Sequence, residues 1–425
     1  MYILINTLLP VLLTLIAHTK TLRRSALIVH NIQNFKITHS DFVQQTKSIF
    51  KEVDVRSIKE LNEGTISLKK HKEFLYDFVV FAASRNTEAL KIAEKLELPA
   101  FYDQGGSLLF ISESIVLQPW RIMLSLFGFD QLVLHKDQGP LYIQQNLTSK
   151  SVFIPKDEIH FNRLNDNIEK GIYYKGGAII LTPYENTSSW GILRPPSDYL
   201  FVDAKNKTQQ VIDPNYNNLI AGAQGTTTNT RMLVAGSIEM FSNEYYHLSN
   251  GDNMQFANNL LKWLRFEKQV LGIKHYSICN SEDLNCESQT VFKPYENIVV
   301  TLQLEDEEGK LYHPETEKIY LRLKMYETFL LQPFEEEEIN GINYYRLRFK
   351  AFDHIGIYKF LIEHPRPAYY FDSKGSEREI VFRIFREETS ELAKLPTIVF
   401  LIPVIFVFAS AVNLSRYVLL ETKKA

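Results

Sequence analysis

The chain has 425 residues, 45% of them hydrophobic and 23% charged, and its 47 basic against 50 acidic side chains leave a formal charge of −3. That length exceeds one typical compact domain, so two or three folded units are expected. The near-neutral balance lacks the basic excess of a nucleic-acid-binding surface, and no nucleic-acid partner is expected.

Residues 2–17, YILINTLLPVLLTLIA, are apolar and uncharged and are followed by Lys20, Arg23 and Arg24. The run is short for a membrane span. Residues 1–19 are therefore read as a secretory signal peptide cleaved after Thr19.

From Ser25 strand and helix patterns alternate. SALIVHN is an apolar, β-branched strand with His30 at its edge. SDFVQQTKSIFKE reads as a helix with Ser40 as N-cap and with Phe42, Val43, Ile49 and Phe50 on one face. DVR around Val55 is a short strand and YDFVVFAAS a continuous apolar one. NTEALKIAEKLELP reads as a single helix ended by Pro99. Gly105 and Gly106 then turn the chain into SLLFIS, the strand from Ser107 to Ser112.

GGAIILTP (Gly176 to Pro183) and RMLVAGS (Arg231 to Ser237) read as further buried strands. DNMQFANNLLKWLRFEKQVLGI supplies a long closing helix packed through Phe256, Leu260, Trp263, Leu264 and Val270. Strands that are apolar throughout and alternate with helices indicate a parallel sheet covered on both faces. Residues 22–271 are expected to form a doubly wound α/β domain, flavodoxin-like or amidotransferase-like.

Beyond residue 272 the apolar period falls to two, as in half-buried strands. Val300, Leu302 and Leu304 share a face, as do Leu321, Leu323 and Met325, and Tyr345, Leu347 and Phe349 alternate with Arg346, Arg348 and Lys350. Asn340-Gly341 is a hairpin-turn signal. The acidic runs EDEEG (Glu305 to Gly309) and EEEEING (Glu335 to Gly341) read as solvated hairpin tips, with calcium binding a second reading. The two cysteines, Cys279 and Cys286, could close a small disulfide loop in an oxidising compartment. Residues 272–390 are expected to be an antiparallel β-sandwich.

Residues 395–415, LPTIVFLIPVIFVFASAVNLS, carry no charge and are long enough, at about 1.5 Å per residue, to cross a core of about 30 Å. They read as one transmembrane helix kinked at Pro403, in which Ala409, Ser410 and Ala411 allow close helix approach. Arg416, Lys423 and Lys424 place residues 416–425 in the cytosol. The expectation is a single-pass type I membrane protein, with sequons at Asn146, Asn186 and Asn206 on the luminal or extracellular side.

A doubly wound sheet holds its site at the carboxyl ends of its strands, here Ser112 to Ser114 and Gly236 to Glu239. Gly105 and Gly106 precede a strand, whereas a phosphate-cradling fingerprint follows one, so no nucleotide cofactor is expected. Residues 1–278 contain no cysteine to act as a glutaminase-type nucleophile. Ser112, Ser114 and Ser237 lack a G-x-S-x-G elbow, and Glu113 with Glu239 could at most form an acid and base pair. The histidines show no ligand spacing. No catalytic, cofactor-binding or metal-ligating residue is assigned.

The strings FYDQGGSLLFISES, RMLVAGSIEMFSNEYY, NNLLKWLRFEKQVLGI and FDHIGIYKFLIEH, followed by one span and a basic tail, resemble the 48 kDa subunit family of the oligosaccharyltransferase complex over roughly residues 25–424. The resemblance implies a non-catalytic scaffold or accessory subunit in the endoplasmic reticulum membrane. It also implies that glycan transfer from dolichyl diphosphate to asparagine is carried out by a multispanning partner subunit. Other subunits would pack against this one, and contact with the dolichol-linked donor is allowed. The first domain would be amidotransferase-like without its nucleophile, in keeping with the missing cysteine. Lys423 and Lys424 sit one place away from the dilysine retrieval signal of some relatives, so residence would rest on assembly. The rival readings are a membrane-anchored luminal hydrolase or amidotransferase-like enzyme using Ser112 to Ser114 and Glu239, and a cell-surface receptor ectodomain.

Overall fold

The computed structural model describes residues 25–384 except 64–67, 71–72, 113–115, 132–140, 145–150, 160–163, 183–186, 196–199, 204–208, 211–216, 226–227, 282–285, 315–317, 326–327, 354–355, 365–367 and 372–378, together with Val407, Ser410 and Val412. The signal-peptide run, Glu113, Ser114, the sequon residues Asn146, Asn186 and Asn206, and the tail lie outside the described residues. The chain divides into two compact units, Met1–Val270 with Arg366–Tyr370, and Leu271–Pro365 with Phe371–Ala425.

The first unit is built on a seven-stranded sheet. Its strands are β1 (Ser25–His30), β2 (Glu52–Ser57), β3 (Phe78–Ala82), β4 (Ser107–Ile111), β5 (Thr187–Leu193), β6 (Ile220–Gly225) and β7 (Arg231–Ala235). They are ordered β5-β6-β7-β4-β3-β1-β2. The five strands from β2 to β7 run parallel, while β6 and β5 add an antiparallel edge. The sheet is thus mixed, not wholly parallel.

Period-two alternation sorts each central strand between two cores. Ala26, Ile28, Val80, Leu109, Ile111, Leu233 and Ala235 join one cluster with Phe42 and Phe256. Leu27, Val29, Val79, Phe81, Leu108, Phe110, Met232 and Val234 join the other with Ile92, Phe101 and Trp120. The helices that supply these covers are α1 (Ser40–Ile49), α2 (Ile58–Glu63), α3 (Ala89–Lys95), α4 (Leu98–Asp103), α5 (Gln118–Ser125), α6 (Asn243–Leu248) and α7 (Asp252–Leu264). Strands covered on both faces need apolar residues at every position, which is why they read as unbroken runs.

Several boundaries differ from the expectation. Ser40 is the first helical residue of α1 and not its cap, and the Asp41 N–H donates instead to Asn243 Oδ1 at 3.2 Å. The segment read as one helix before Pro99 is two, because Glu97 takes a left-handed conformation (φ 52°) and Pro99 sits in the first turn of α4, where a proline costs no hydrogen bond. The closing helix α7 stops at Leu264; Phe266 and Gln269 have positive φ, and Val270 already belongs to a strand. Gly105 (φ 97°) ends α4, with the Gly105 N–H donating to Tyr102 O and the Gly106 N–H to Phe101 O. A Cβ on Gly106 would collide with the Phe101 ring. The paired glycines make a turn into buried β4.

The second unit contains two mainly antiparallel sheets. Its strands are β8 (Val270–Cys279), β9 (Asn297–Glu305), β10 (Tyr320–Lys324), β11 (Thr328–Pro333), β12 (Glu335–Ile339), β13 (Ile342–Lys350), β14 (Gly356–Glu363) and β15 (Glu379–Ile384). In one five-stranded sheet β12-β13-β9-β8 are consecutive neighbours, in the other β15-β14-β10-β11. Phe349 of β13 meets Phe360 of β14, with ring centroids 6.3 Å apart.

Asn340 and Gly341, with φ of 54° and 76°, turn β12 into β13, as that dipeptide favours. The acidic run before them is not a hairpin tip. Glu335–Ile339 is a strand at the end of its sheet, and Glu337 binds both Arg346 (3.3 Å) and Arg348 (2.5 Å). Arg346, expected to face solvent, is buried between Glu337 and Thr301 Oγ1. The other acidic run is a true turn: Asp306 Oδ1 accepts the Glu308 and Lys310 N–H groups, each at 2.9 Å, which uses the carboxylate internally. Among the described residues no group of side chains is arranged to hold a metal ion. Cys279, the last residue of β8, is joined to Cys286 by a disulfide, with Cα atoms 6.4 Å apart.

No helix among the described residues is long and apolar enough to cross a membrane. Of the 395–415 run only Val407, Ser410 and Val412 are described, all helical and exposed.

Candidate functional site

The rim singled out from the sequence, at the ends of β4 and β7, is occupied by structural contacts. Ser112 is fully buried; its N–H donates to Ala235 O (2.8 Å) and its hydroxyl accepts the Trp120 indole N–H (3.1 Å). Ser237 is also fully buried, donating to Lys175 O (2.6 Å) and accepting the Met240 N–H (3.1 Å). Among the described residues neither hydroxyl is hydrogen-bonded to a base that could activate it. Glu239 lies 3.7 Å from Lys175 Nζ. With Glu113 and Ser114 outside the described residues, these positions are not brought together as a catalytic set.

A second place at the same end of the sheet was not found from the sequence. The chain leaves β1 for β2 on one side and then crosses to β3 on the other, and such a reversal opens a crevice beyond the strand ends. A cleft of about 590 Å³ lies there, lined by Asn31, Ile32 and Gln33 after β1, by Ser57, Ile58 and Lys59 at the start of α2, and by Asn86 after β3. The signal that could have located it is strand order, which hydropathy does not report.

The cleft's walls are tied to one another. The Asn31 amide, oriented by its partners, donates to Ala82 O (3.2 Å) and accepts from the Asn86 N–H (3.3 Å). The Asn86 side-chain oxygen accepts the Glu88 N–H at 2.6 Å. Ser57 and Glu60 form a reciprocal capping box at the start of α2, with Ser57 N–H to Glu60 Oε2 at 2.9 Å and Glu60 N–H to Ser57 Oγ at 3.2 Å. The Ser57 N–H, helped by Lys36, Arg56 and His30, holds the Glu60 carboxyl below its usual range.

Beside this cleft β1 ends in a buried ring stack. Phe35 lies between His30 and His39, with centroid separations of 4.5 and 4.7 Å. Burial lowers the His30 pKa, more than the Ile32 backbone and Glu60 raise it. His39 is 5% exposed, with Nε2 3.3 Å from Ile238 O and Nδ1 2.8 Å from Thr38 Oγ1. Burial pushes its pKa from 6.5 down to about 4, against the Ile238 backbone contact and with a small further push from His30.

That shift sets an acid limit on the fold. Above pH 6.5 both folded and unfolded chains hold His39 neutral, and the fold loses nothing. As pH falls from about 6.5 towards 4, the unfolded chain takes up a proton that the folded chain refuses. The loss reaches about 3 kcal/mol, since each pKa unit is worth about 1.36 kcal/mol. Denaturant midpoints measured between pH 7 and 4 should show this fall, and His39→Gln should flatten it; an unchanged slope in the variant would assign the acid sensitivity elsewhere.

Residues 17–267 match the family described as OST48, N-terminal domain. The chain belongs to the OST48 family. A similar relative is the dolichyl-diphosphooligosaccharide–protein glycosyltransferase 48 kDa subunit of Caenorhabditis elegans, 22% identical over 384 residues, which are 84% of this chain and 83% of the relative. Among solved structures, the chain has a low similarity to a crystal structure of Agd3, a carbohydrate deacetylase, at 9% identity and a TM-score of 0.30, over 64% of this chain and 35% of that one. It has a lower one to Pseudomonas fluorescens alkylpurine DNA glycosylase AlkC bound to DNA, at 12% identity and a TM-score of 0.17, over 33% and 40% of the two chains. Both scores are too low to carry a functional argument. In this OST48-family chain the two described rim serines are packing residues, and the open crevice lies at the β1–β3 reversal.

Proposed function

We propose that this chain is a non-catalytic subunit of an oligosaccharyltransferase, the 48 kDa type, acting in N-glycosylation in the endoplasmic reticulum. The observation that carries the reading is the family match over residues 17–267, continued by a relative of that name along most of both chains. The amidotransferase-like description of the first unit fits its β2-β1-β3-β4 strand order. The buried and engaged hydroxyls of Ser112 and Ser237 favour a scaffold over the hydrolase reading. The chain is anchored by one transmembrane helix over 395–415 with residues 22–390 in the lumen, where Asn146, Asn186 and Asn206 meet the glycosylation machinery and the Cys279–Cys286 bond is stable. Its partners are the other subunits, among them the multispanning one that performs the transfer.

The test is affinity purification of the full chain in mild detergent. A multispanning glycosyltransferase should co-elute in stoichiometric amount, and depletion of this chain should lower sequon occupancy on a reporter glycoprotein. Recovery of the chain free of any such partner, with reporter occupancy unchanged on depletion, would overturn the reading.

A further inference from the structure

We infer that the cleft at the β1–β3 reversal is a binding site for a neutral saccharide. The inference does not depend on the assembly proposed above, because it concerns a ligand of this chain alone.

Three features of the cleft point the same way. Its position is the one where open α/β sheets hold their ligands, outside the carboxyl ends of strands at a point where strand order reverses. Its volume of about 590 Å³ falls within the roughly 300–1,000 Å³ of small-molecule sites. Its lining combines three carboxamides (Asn31, Gln33, Asn86), one hydroxyl (Ser57) and one ammonium (Lys59) with the side chains of Ile32 and Ile58, and includes no carboxylate, imidazole or thiol.

That inventory selects the ligand class. Carboxamides and hydroxyls both donate and accept, as the vicinal hydroxyls of a sugar require of their partners. The branched side chains of Ile32 and Ile58 offer an apolar surface for the C–H face of a pyranose ring. Apart from the single Lys59 ammonium the lining carries no charged side chain, which favours an uncharged polyhydroxyl ligand over an anion.

The rim is also organised before a ligand arrives. Asn31 ties the loop after β1 to the loop after β3 through Ala82 O and the Asn86 N–H. The Glu88 N–H fixes the Asn86 side-chain oxygen, which sets the direction of its Nδ2 donor. Ser57 accepts the Glu60 N–H, so its own hydroxyl proton remains to be donated. A rim held in this way loses little side-chain entropy on binding.

The experiment titrates the full chain, in detergent, with methyl α-glucoside, methyl α-mannoside, methyl β-N-acetylglucosaminide and inorganic phosphate, read by saturation-transfer NMR and calorimetry. At least one glycoside should bind in the millimolar range. Gln33→Ala and Asn86→Ala should each weaken it by about tenfold, as loss of hydrogen-bond partners to substrate hydroxyls does. Gln33 is exposed, so its replacement leaves the fold intact even if Asn86→Ala, which also loses the Glu88 contact, does not. Two outcomes overturn the inference: no glycoside binding to the full chain, or glycoside binding that survives unchanged in Gln33→Ala. Phosphate binding that Lys59→Ala abolishes, with no glycoside response, would make the cleft an anion site and overturn it equally.

Discussion

Replacing Arg231 by methionine is expected to cost the first unit at least about 4 kcal/mol, or to prevent its accumulation. Arg231 opens β7 and is fully buried. Its Nη1 donates to Trp263 O (2.6 Å) and Lys268 O (2.8 Å), and its Nη2 to Gln269 O (2.9 Å) and Ala368 O (3.0 Å). The guanidinium also lies 4.6 Å from the Trp263 ring centroid and 4.8 Å from that of Phe266.

No carboxylate is among those four acceptors. All four are backbone carbonyls, and the first of them belongs to the last turn of α7, the end of a helix that favours a cation. Methionine would match the length of the chain and remove four hydrogen bonds from a charged group, at about 1.5–3 kcal/mol each, although Trp263 O, Gln269 O and Ala368 O keep second donors in the Phe266 N–H, the Tyr370 N–H and the Trp263 indole N–H. Lysine keeps the charge but cannot span both pairs of acceptors with one ammonium, so Arg231→Lys should recover less than half of the loss. Chemical denaturation gives the magnitude, and amide exchange should quicken first across residues 265–270. Wild-type stability in Arg231→Met would show that the carbonyls re-pair with water or backbone.

The second large effect is expected at Asp252, the first residue of α7. One carboxylate oxygen accepts the Glu169 N–H (3.0 Å), the other those of Lys170 (2.8 Å) and Gly171 (3.0 Å). The next residue continues the grip: Asn253 exchanges hydrogen bonds with both backbone groups of Tyr173, each at 2.8 Å. Asn259 donates to Leu164 O and Asp166 O, each at 2.9 Å. A helix thereby anchors an irregular segment some eighty residues away in sequence.

Burial alone would raise the Asp252 pKa, but the N–H groups of Glu169, Gly171 and Lys170, with Lys156, outweigh it and leave it below the usual carboxylate range. Asp252→Asn turns an amide N–H₂ towards backbone donors and should cost about 3 kcal/mol at neutral pH. Because the folded-state pKa is depressed, the carboxylate's contribution is complete above the ordinary carboxylate pKa and is lost as pH falls through the folded value. The gap between the variant and the parent should therefore narrow in acid. A gap that stays constant down to pH 2 would mean that the lost packing, and not the charge, carries the effect.

Asp252, Asn253 and Asn259 show what hydropathy cannot report. Their spacing is that of a solvent-facing helix stripe, and the backbone of residues 164–173, folded against them, gives these buried side chains hydrogen-bond partners. β1, β3, β4 and β7 were legible because both faces of each strand are covered, so their central residues form unbroken apolar runs. β6 was not. Its sequence IAGAQG has little strand propensity, and its small residues are required by what crosses them: a Cβ on Gly222 would stand 3.0 Å from Ile192 and 3.2 Å from Trp190. Ser112 and Ser237 do lie at strand ends, but their burial depends on Trp120 and Lys175, which lie on other elements. The cleft escaped notice because Asn31, Gln33, Ser57 and Asn86 are ordinary turn residues until strand order brings them together.

The acidic strand β12 has a consequence for how the second unit meets other molecules. A strand at a sheet's end exposes backbone groups that any extended chain can pair with. Here Glu335, Glu336 and Glu338 stay exposed along it, while Glu337 turns to Arg346 and Arg348. A second copy of the unit approaching by this edge would bring like charges within one strand spacing. Growth of the sheet by self-addition is closed off on this side, and a molecule that is to associate stably here must either bring lysine and arginine or come to rest on a face of the sheets.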